Sequence, residues 1–153
     1  VLFPEPYFNV GQVVIKRKGD DRIKSHTDLN DPTFTIAVEQ STTGEQACRK
    51  SIPKATLLRF EKVDQACMAL IQKKADAVVF DNAFLMKYVK EREKGDLEGI
   101  WTQFTFEDIA VAVRKSSPRL KAAVDGTLKR LEASGELSAL RLKHFGVADA
   151  PGK

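Results

Sequence analysis

Residues 35–81 read TIAVEQSTTGEQACRKSIPKATLLRFEKVDQACMALIQKKADAVVFD, and the order of apolar runs in this stretch decides the fold. Thr35 to Glu39 is a short apolar run of strand type. It leads directly into Ser41-Thr42-Thr43-Gly44-Glu45, where Thr42 and Glu45 have the spacing of a capping box. A short helix through Cys48 should follow and stop near Pro53, and Thr56 to Phe60 reads as the next strand. Val63, Ala66, Cys67, Leu70 and Ile71 then fall at i, i+3, i+4, i+7 and i+8, an apolar stripe on one face of a helix. Ala77-Val78-Val79-Phe80 is apolar throughout, as expected of a strand buried on both faces of a parallel sheet. Strand, helix, strand, helix, strand is the pattern of a doubly wound, mostly parallel α/β sheet with right-handed crossovers and helices on both faces.

On the N-terminal side, residues 10 to 16 read as a further strand, ended by the turn signal Lys18-Gly19-Asp20-Asp21. On the C-terminal side, the last apolar strand ends on Asp81-Asn82, and a helix is expected from Ala83 to about Lys94, stopped by Gly95. Ile100 to Thr105 and Ile109 to Val113 look like two more strands. Beyond Ser116-Ser117-Pro118 the pattern is helical, with Leu120, Val124, Leu128 and Leu131 on one stripe. Gly135 separates this from a last helix ending near Phe145-Gly146. The final helix pair stands apart from the sheet and is assigned to a different lobe, and residues 147–153 read as a frayed tail.

The chain has 153 residues, 42% hydrophobic and 30% charged, which is the make-up of a globular protein able to bury a core. No apolar run approaches the roughly 20 residues needed to cross a bilayer, and the N-terminal Val1-Leu2-Phe3-Pro4-Glu5-Pro6 has no secretion-signal layout. The formal charge of +4 comes from interleaved signs, as in Lys90-Glu91-Arg92-Glu93-Lys94, so it marks a solvated face and argues against nucleic acid. Cys48 and Cys67 are too few for a disulfide framework and lack zinc spacing. His26 and His144 lie far apart with no ligand cluster nearby, and no cofactor or metal is expected.

In an open α/β sheet, ligands bind beyond the carboxyl ends of the strands. Two candidate sites fall there. Ser41-Thr42-Thr43-Gly44 joins a strand to a helix N-terminus, where free amides, hydroxyls and the positive helix end suit an anion. The same residues equally describe a good N-cap, and the loop lacks the lysine and glycine spacing of a nucleotide-binding loop. Asp81 ends an apolar strand and could accept hydrogen bonds from an ammonium group, or cap a helix. Together, an anion site and a cation site at neighbouring strand ends match a zwitterion such as a free amino acid. No nucleophile–base pair accompanies them, so the expected role is binding without catalysis.

The ordered segments resemble a known family. Phe3-Pro4-Glu5-Pro6-Tyr7-Phe8, Asp28-Leu29, the Ser41-Thr42-Thr43 loop and the helix Val63 to Ile71 are followed by Ala75-Asp76-Ala77-Val78-Val79-Phe80-Asp81. Ile109-Ala110-Val111-Ala112-Val113-Arg114-Lys115, Leu128 to Leu131, Gly135-Glu136-Leu137 and His144-Phe145-Gly146 complete the set. This order is similar to that of the type 2 periplasmic binding proteins of polar amino-acid ABC transporters, solute-binding protein family 3. The resemblance implies a two-lobed flytrap. Residues 1–8 would be an interlobe crossing, 9–108 the second α/β lobe, and 109–146 the return crossing with the C-terminal helices of the first lobe. It implies that Thr43 and its loop, supported by Ser41 and Thr42, hold an α-carboxylate while Asp81 takes the α-ammonium. It also implies an extracytoplasmic protein that delivers a polar amino acid to the membrane subunits of an ABC transporter. The same flytrap could alternatively serve as the sensing module of a receptor or sensor kinase. The return crossing departs from the family pattern at Asp108-Ile109-Ala110. A first-lobe segment on the order of 100 residues is expected to be lacking, with its carboxylate-pairing arginine. Weak binding and self-association through the surface so exposed are further expectations. On this topology the helices bearing Cys48 and Cys67 cover opposite faces of the sheet, so two buried free thiols are expected.

Overall fold

Strands β1 (Phe8–Val10) and β2 (Gln12–Arg17) are separated by Gly11 alone, yet they belong to different parts of the computed structural model, which describes residues 1–92 and 95–146. One part is Gly11–Thr105; the other is Val1–Val10 together with the chain from Phe106 onward. The single strand expected over residues 10 to 16 is therefore interrupted. Gly11 lies against the Thr105 carbonyl and the Gln103 side chain, where no Cβ could stand.

In the first part, β3 (Thr35–Glu39), α1 (Thr43–Ser51), β4 (Thr56–Phe60), α2 (Val63–Ile71), β5 (Ala77–Asp81), α3 (Asn82–Lys90) and β6 (Leu97–Ile100) follow β2. The strands lie in the order β4-β3-β5-β2-β6. Strands β4 and β5 flank β3 in parallel, whereas β2 runs antiparallel to both β5 and β6, so four of the five strands share one direction. This is the α/β sheet expected, with β3, β4 and α2 at the expected bounds.

Pleating sorts the apolar residues into two cores. Val13, Ile15, Ala37 and Val78 face one side with Ala66, Cys67 and Leu70 of α2 and Leu85 of α3. Val14, Ile36, Val38, Ala77 and Val79 face the other with Cys48 of α1 and with Ile23, Leu29 and Ile52. Cys48 and Cys67 are both buried and free, on opposite faces of the sheet. The helices are thus sorted by the route of the chain: α1 carries it from β3 out to β4, and α2 carries it back past β3 to β5.

Several boundaries differ from the sequence reading. The strand expected over Ile100 to Thr105 is β6, which covers Leu97–Ile100 and pairs Leu97 with Arg17 and Ile100 with Val14. The Trp101 ring folds back over Gly99, where a Cβ would collide with it, and the chain leaves the ladder there. It returns at Phe104, whose N–H donates to the Gln12 carbonyl at 3.1 Å. Helix α3 ends at Lys90, where its apolar stripe of Leu85, Tyr88 and Val89 runs out, well before Gly95. Residues 93–94, on which the end of the expected helix falls, lie outside the described residues, as does the expected tail 147–153. A short 3-10 helix, His26–Leu29, is an element the sequence reading lacks; its Leu29 is fully buried.

In the second part, β1 pairs antiparallel with β7 (Glu107–Ile109), with Phe8 opposite Ile109 and Val10 opposite Glu107. The strand expected from Ile109 to Val113 is displaced because Pro4 and Pro6 on the facing segment have no N–H to continue the ladder. Pairing resumes only as an isolated bridge between Leu2 and Val113. Helices α4 (Pro118–Ala133) and α5 (Glu136–Phe145) form a hairpin around Gly135, whose φ of 78° is open to glycine at no steric cost. Arg141, buried to 7% exposure, donates to the Tyr7 carbonyl at 2.9 Å and pairs with Glu132, and Phe145 stacks on Phe8 at 4.3 Å.

Candidate functional site

The carboxyl ends of β3 and β5 are neighbours, and the chain leaves them in opposite directions: from β3 to the outer strand β4, and from β5 through α3 towards β6. Such a switch point opens a crevice between the two loops. The loop after β3 carries Ser41, Thr42 and Thr43; β5 ends on Asp81.

The β3–α1 loop is held by its own side chains. Thr42 is the N-cap of α1: its Oγ1 accepts the Glu45 N–H at 3.3 Å and donates to the Glu39 carbonyl at 2.7 Å. The Thr42 hydroxyl is thereby used within the loop. The Glu45 carboxylate reaches one residue further back than a capping box requires, accepting the Ser41 N–H at 2.8 Å. It also binds Arg49 at 2.7 Å and Arg59 at 2.8 Å. The Ser41 amide, then Arg49 and Arg59, hold the Glu45 carboxyl at about 2, so it is fully ionised at neutral pH. This clamp keeps Ser41 at a φ of 62°, in the left-handed region. Ser41 and Thr43 are exposed. Helix geometry leaves the amides of Thr43 and Gly44 without an intrahelical acceptor, at the positive end of α1.

Asp81 precedes α3 but its side chain does not cap that helix. Asn82 takes the capping work instead, accepting the Ala83 N–H at 2.8 Å and facing the Gly11 N–H at 3.5 Å. The Asp81 carboxylate is instead engaged by Gln12, whose Nε2 donates to Oδ1 at 2.6 Å. The same Nε2 lies 3.3 Å from the Thr43 hydroxyl oxygen. Gln12 stands directly opposite Asp81 in the antiparallel register of β2 and β5 and is fully buried. Its own N–H is held by Thr105 Oγ1 at 2.9 Å.

Thr43 and Asp81 are therefore brought together through one amide group, while Ser41 and Thr42 shape the loop. Sequence reading passed over Gln12 because it sits in a strand run. Its one visible signal is a polar residue inside Val10-Gly11-Gln12-Val13-Val14-Ile15. Gly44 belongs with it: a Cβ there would lie 2.7 Å from Gln12 Oε1. Among the described residues, no group of three or more His, Cys, Asp or Glu side chains is arranged to hold a metal ion. The arrangement can offer hydrogen-bond donors at one end and a carboxylate at the other, a few ångströms apart.

The chain matches known proteins in sequence and in fold. The family described as bacterial extracellular solute-binding proteins, family 3, matches residues 1–147. The ABC transporter glutamine-binding protein GlnH of Bacillus subtilis (strain 168) is 32% identical over 143 residues, covering 94% of this chain and 51% of that protein. The glutamate-binding protein GluB of Corynebacterium efficiens is 26% identical over 150 residues, covering 95% of this chain and 51% of GluB. The chain thus spans about half the length of these curated relatives. A solved ancestral cationic amino acid solute-binding protein, AncCDT-1, superposes with a TM-score of 0.82 at 34% identity, covering 95% of this chain and 62% of that one. That ancestral protein is described as a precursor of cyclohexadienyl dehydratase.

Proposed function

The chain belongs to the bacterial extracellular solute-binding proteins of family 3, and from that premise we propose that it captures a polar amino acid outside the cytoplasm for delivery to the membrane subunits of an ABC transporter. The observation that carries this reading is the amide of Gln12 hydrogen-bonded to both Thr43 and Asp81, which sets an anion-accepting helix end beside a carboxylate. A free amino acid carries one charge of each sign, an ammonium and a carboxylate attached to the same carbon, and this pair of groups complements it. Thr43 and the first amides of α1, with Ser41 and Thr42 ordering the loop, would receive the α-carboxylate. Asp81 would receive the α-ammonium.

In this reading residues 9–108 are the second lobe of a flytrap. Residues 1–8 and the start of 109–146 are the crossings, and the helices within 109–146 are the C-terminal helices of the first. The protein binds and releases its ligand unchanged, a reading supported by the names of the glutamine- and glutamate-binding relatives. Side-chain selectivity is the open variable, since relatives are named for neutral, acidic and cationic amino acids.

The test is isothermal calorimetry and thermal shift of the gene product that carries this chain, against the common L-amino acids, repeated with Asp81→Ala. A ligand at 100 times its dissociation constant stabilises the fold by about 2.7 kcal/mol. Stabilisation by one or a few polar amino acids, lost in Asp81→Ala and with the decarboxylated ligand, supports the proposal. The absence of any response across the panel would reject it, and turnover of the ligand would replace binding with catalysis.

A further inference from the structure

Gln12 is fully buried, so it cannot be a principal ligand contact, yet it touches both halves of the proposed site. An amide nitrogen offers two N–H groups and no acceptor, whereas a carboxylate only accepts. The 2.6 Å bond to Asp81 Oδ1 therefore fixes which way round the Gln12 amide lies, with Nε2 towards Asp81 and Thr43. A hydroxyl has one hydrogen and two lone pairs. Once Thr43 Oγ1 accepts from Gln12, its single hydrogen is directed elsewhere, and the hydroxyl adds a donor to the exposed helix end.

Resting on the functional reading above, we propose that Gln12 is a positioning residue that sets the polarity of the amino-acid site. It commits the Thr43 hydroxyl to donate to the ligand carboxylate and orients the Asp81 carboxylate for the ligand ammonium. Gly44 is part of the same device, because only a residue without a side chain leaves room for Gln12 Oε1 at 2.7 Å from the Cβ position. The register of β2 against β5 supplies the rest, since it puts Gln12 opposite Asp81. Specificity for a zwitterion is thus written on a strand that the ligand does not reach.

The test uses the full gene product, calorimetry with L-glutamine and L-arginine as probes, and circular dichroism as the check on folding. Gln12→Met keeps the length of the side chain and removes its donors. It should weaken the better-bound probe by about tenfold or more, the range for losing a hydrogen bond to a charged group. Thr43→Val should weaken the wild type by a similar factor but cost less than about twofold on top of Gln12→Met, because the hydroxyl is then no longer committed. Gly44→Ala, which leaves every hydrogen-bonding residue in place, should reproduce the loss and serves if Gln12→Met does not fold. A merely structural Gln12 would lower stability and leave affinity alone, or the two losses would multiply; either result overturns the inference. If the wild type binds and Gln12→Met binds as well, this inference alone falls. If the wild type binds neither probe nor any other L-amino acid, it falls together with the functional reading.

Discussion

Leu70→Ala deletes three carbons from a side chain with no exposed surface, in the core formed by α2 against Val13, Ile15, Val78 and Leu85. At about 0.8 kcal/mol per buried methylene the transfer loss is about 2.4 kcal/mol, and the cavity left behind brings the cost to about 3.5 kcal/mol. For a chain of this size that corresponds to a melting point lower by about 7–14 °C. Met68, two residues earlier on the same helix, is 45% exposed, so Met68→Ala should cost less than about 0.5 kcal/mol. Urea unfolding followed by fluorescence of Trp101, the one tryptophan, reports on the sheet-bearing part to which it belongs. The midpoint should move and the slope should not. A loss below about 1 kcal/mol for Leu70→Ala, or an equal loss for Met68→Ala, would refute the assignment of the buried face of α2.

The remaining expectations concern charge, thiols, backbone and assembly. Glu45 is held at about 2 in the folded chain, below the ordinary carboxylate value of about 4.3, so its contribution to stability is present above the unfolded value and disappears as pH falls from there through about 2. Stability measured against pH should lose part of its acid slope in Glu45→Gln, and identical slopes would contradict the clamp on Ser41. Burial pushes the Cys48 and Cys67 thiols up to about 12, so a disulfide reagent at pH 8 should label neither within minutes in the native protein and both in denaturant. Gly135→Ala should cost about 1 kcal/mol because its φ is 78°, whereas Gly126→Ala in the middle of α4, with Arg130 Nη1 the nearest atom at 3.9 Å, should gain about 0.5–1 kcal/mol; equal signs in thermal melts would undo the argument. The exposed Leu120, Leu140 and Leu142 on α4 and α5 should promote self-association of the chain, and a monomer at high concentration in sedimentation velocity would count against it.

The legible elements were those whose own residues settle their environment. Thr35–Glu39 and Thr56–Phe60 are short runs bounded by turn signals, and the stripe from Val63 to Ile71 admits one helical face. The α/β class follows from that order, and so does the separation of Cys48 from Cys67, because α1 and α2 carry the chain in opposite senses across the sheet. β6 and β7 were misplaced because short strands at an edge take their bounds from a partner: Arg17 and Val14 fix β6, and Pro4 and Pro6, lying between Leu2 and Phe8, cannot continue the ladder that pairs Phe8 with Ile109.

The same division runs through the site. Sequence alone put the Ser41-Thr42-Thr43 loop and Asp81 at strand ends, because turn chemistry and helix capping are local and written in neighbouring residues. It could not say that Thr42 spends its hydroxyl on the cap, or that Asn82 rather than Asp81 caps α3. Nor could it show Gln12 between Thr43 and Asp81. These three residues are 31 and 38 positions apart along the chain, and only the antiparallel register of β2 with β5 closes that distance to one amide group. Local propensity is carried by neighbours in sequence, whereas the polarity of a site is carried by hydrogen bonds between neighbours in space, and those exist only once the sheet has formed.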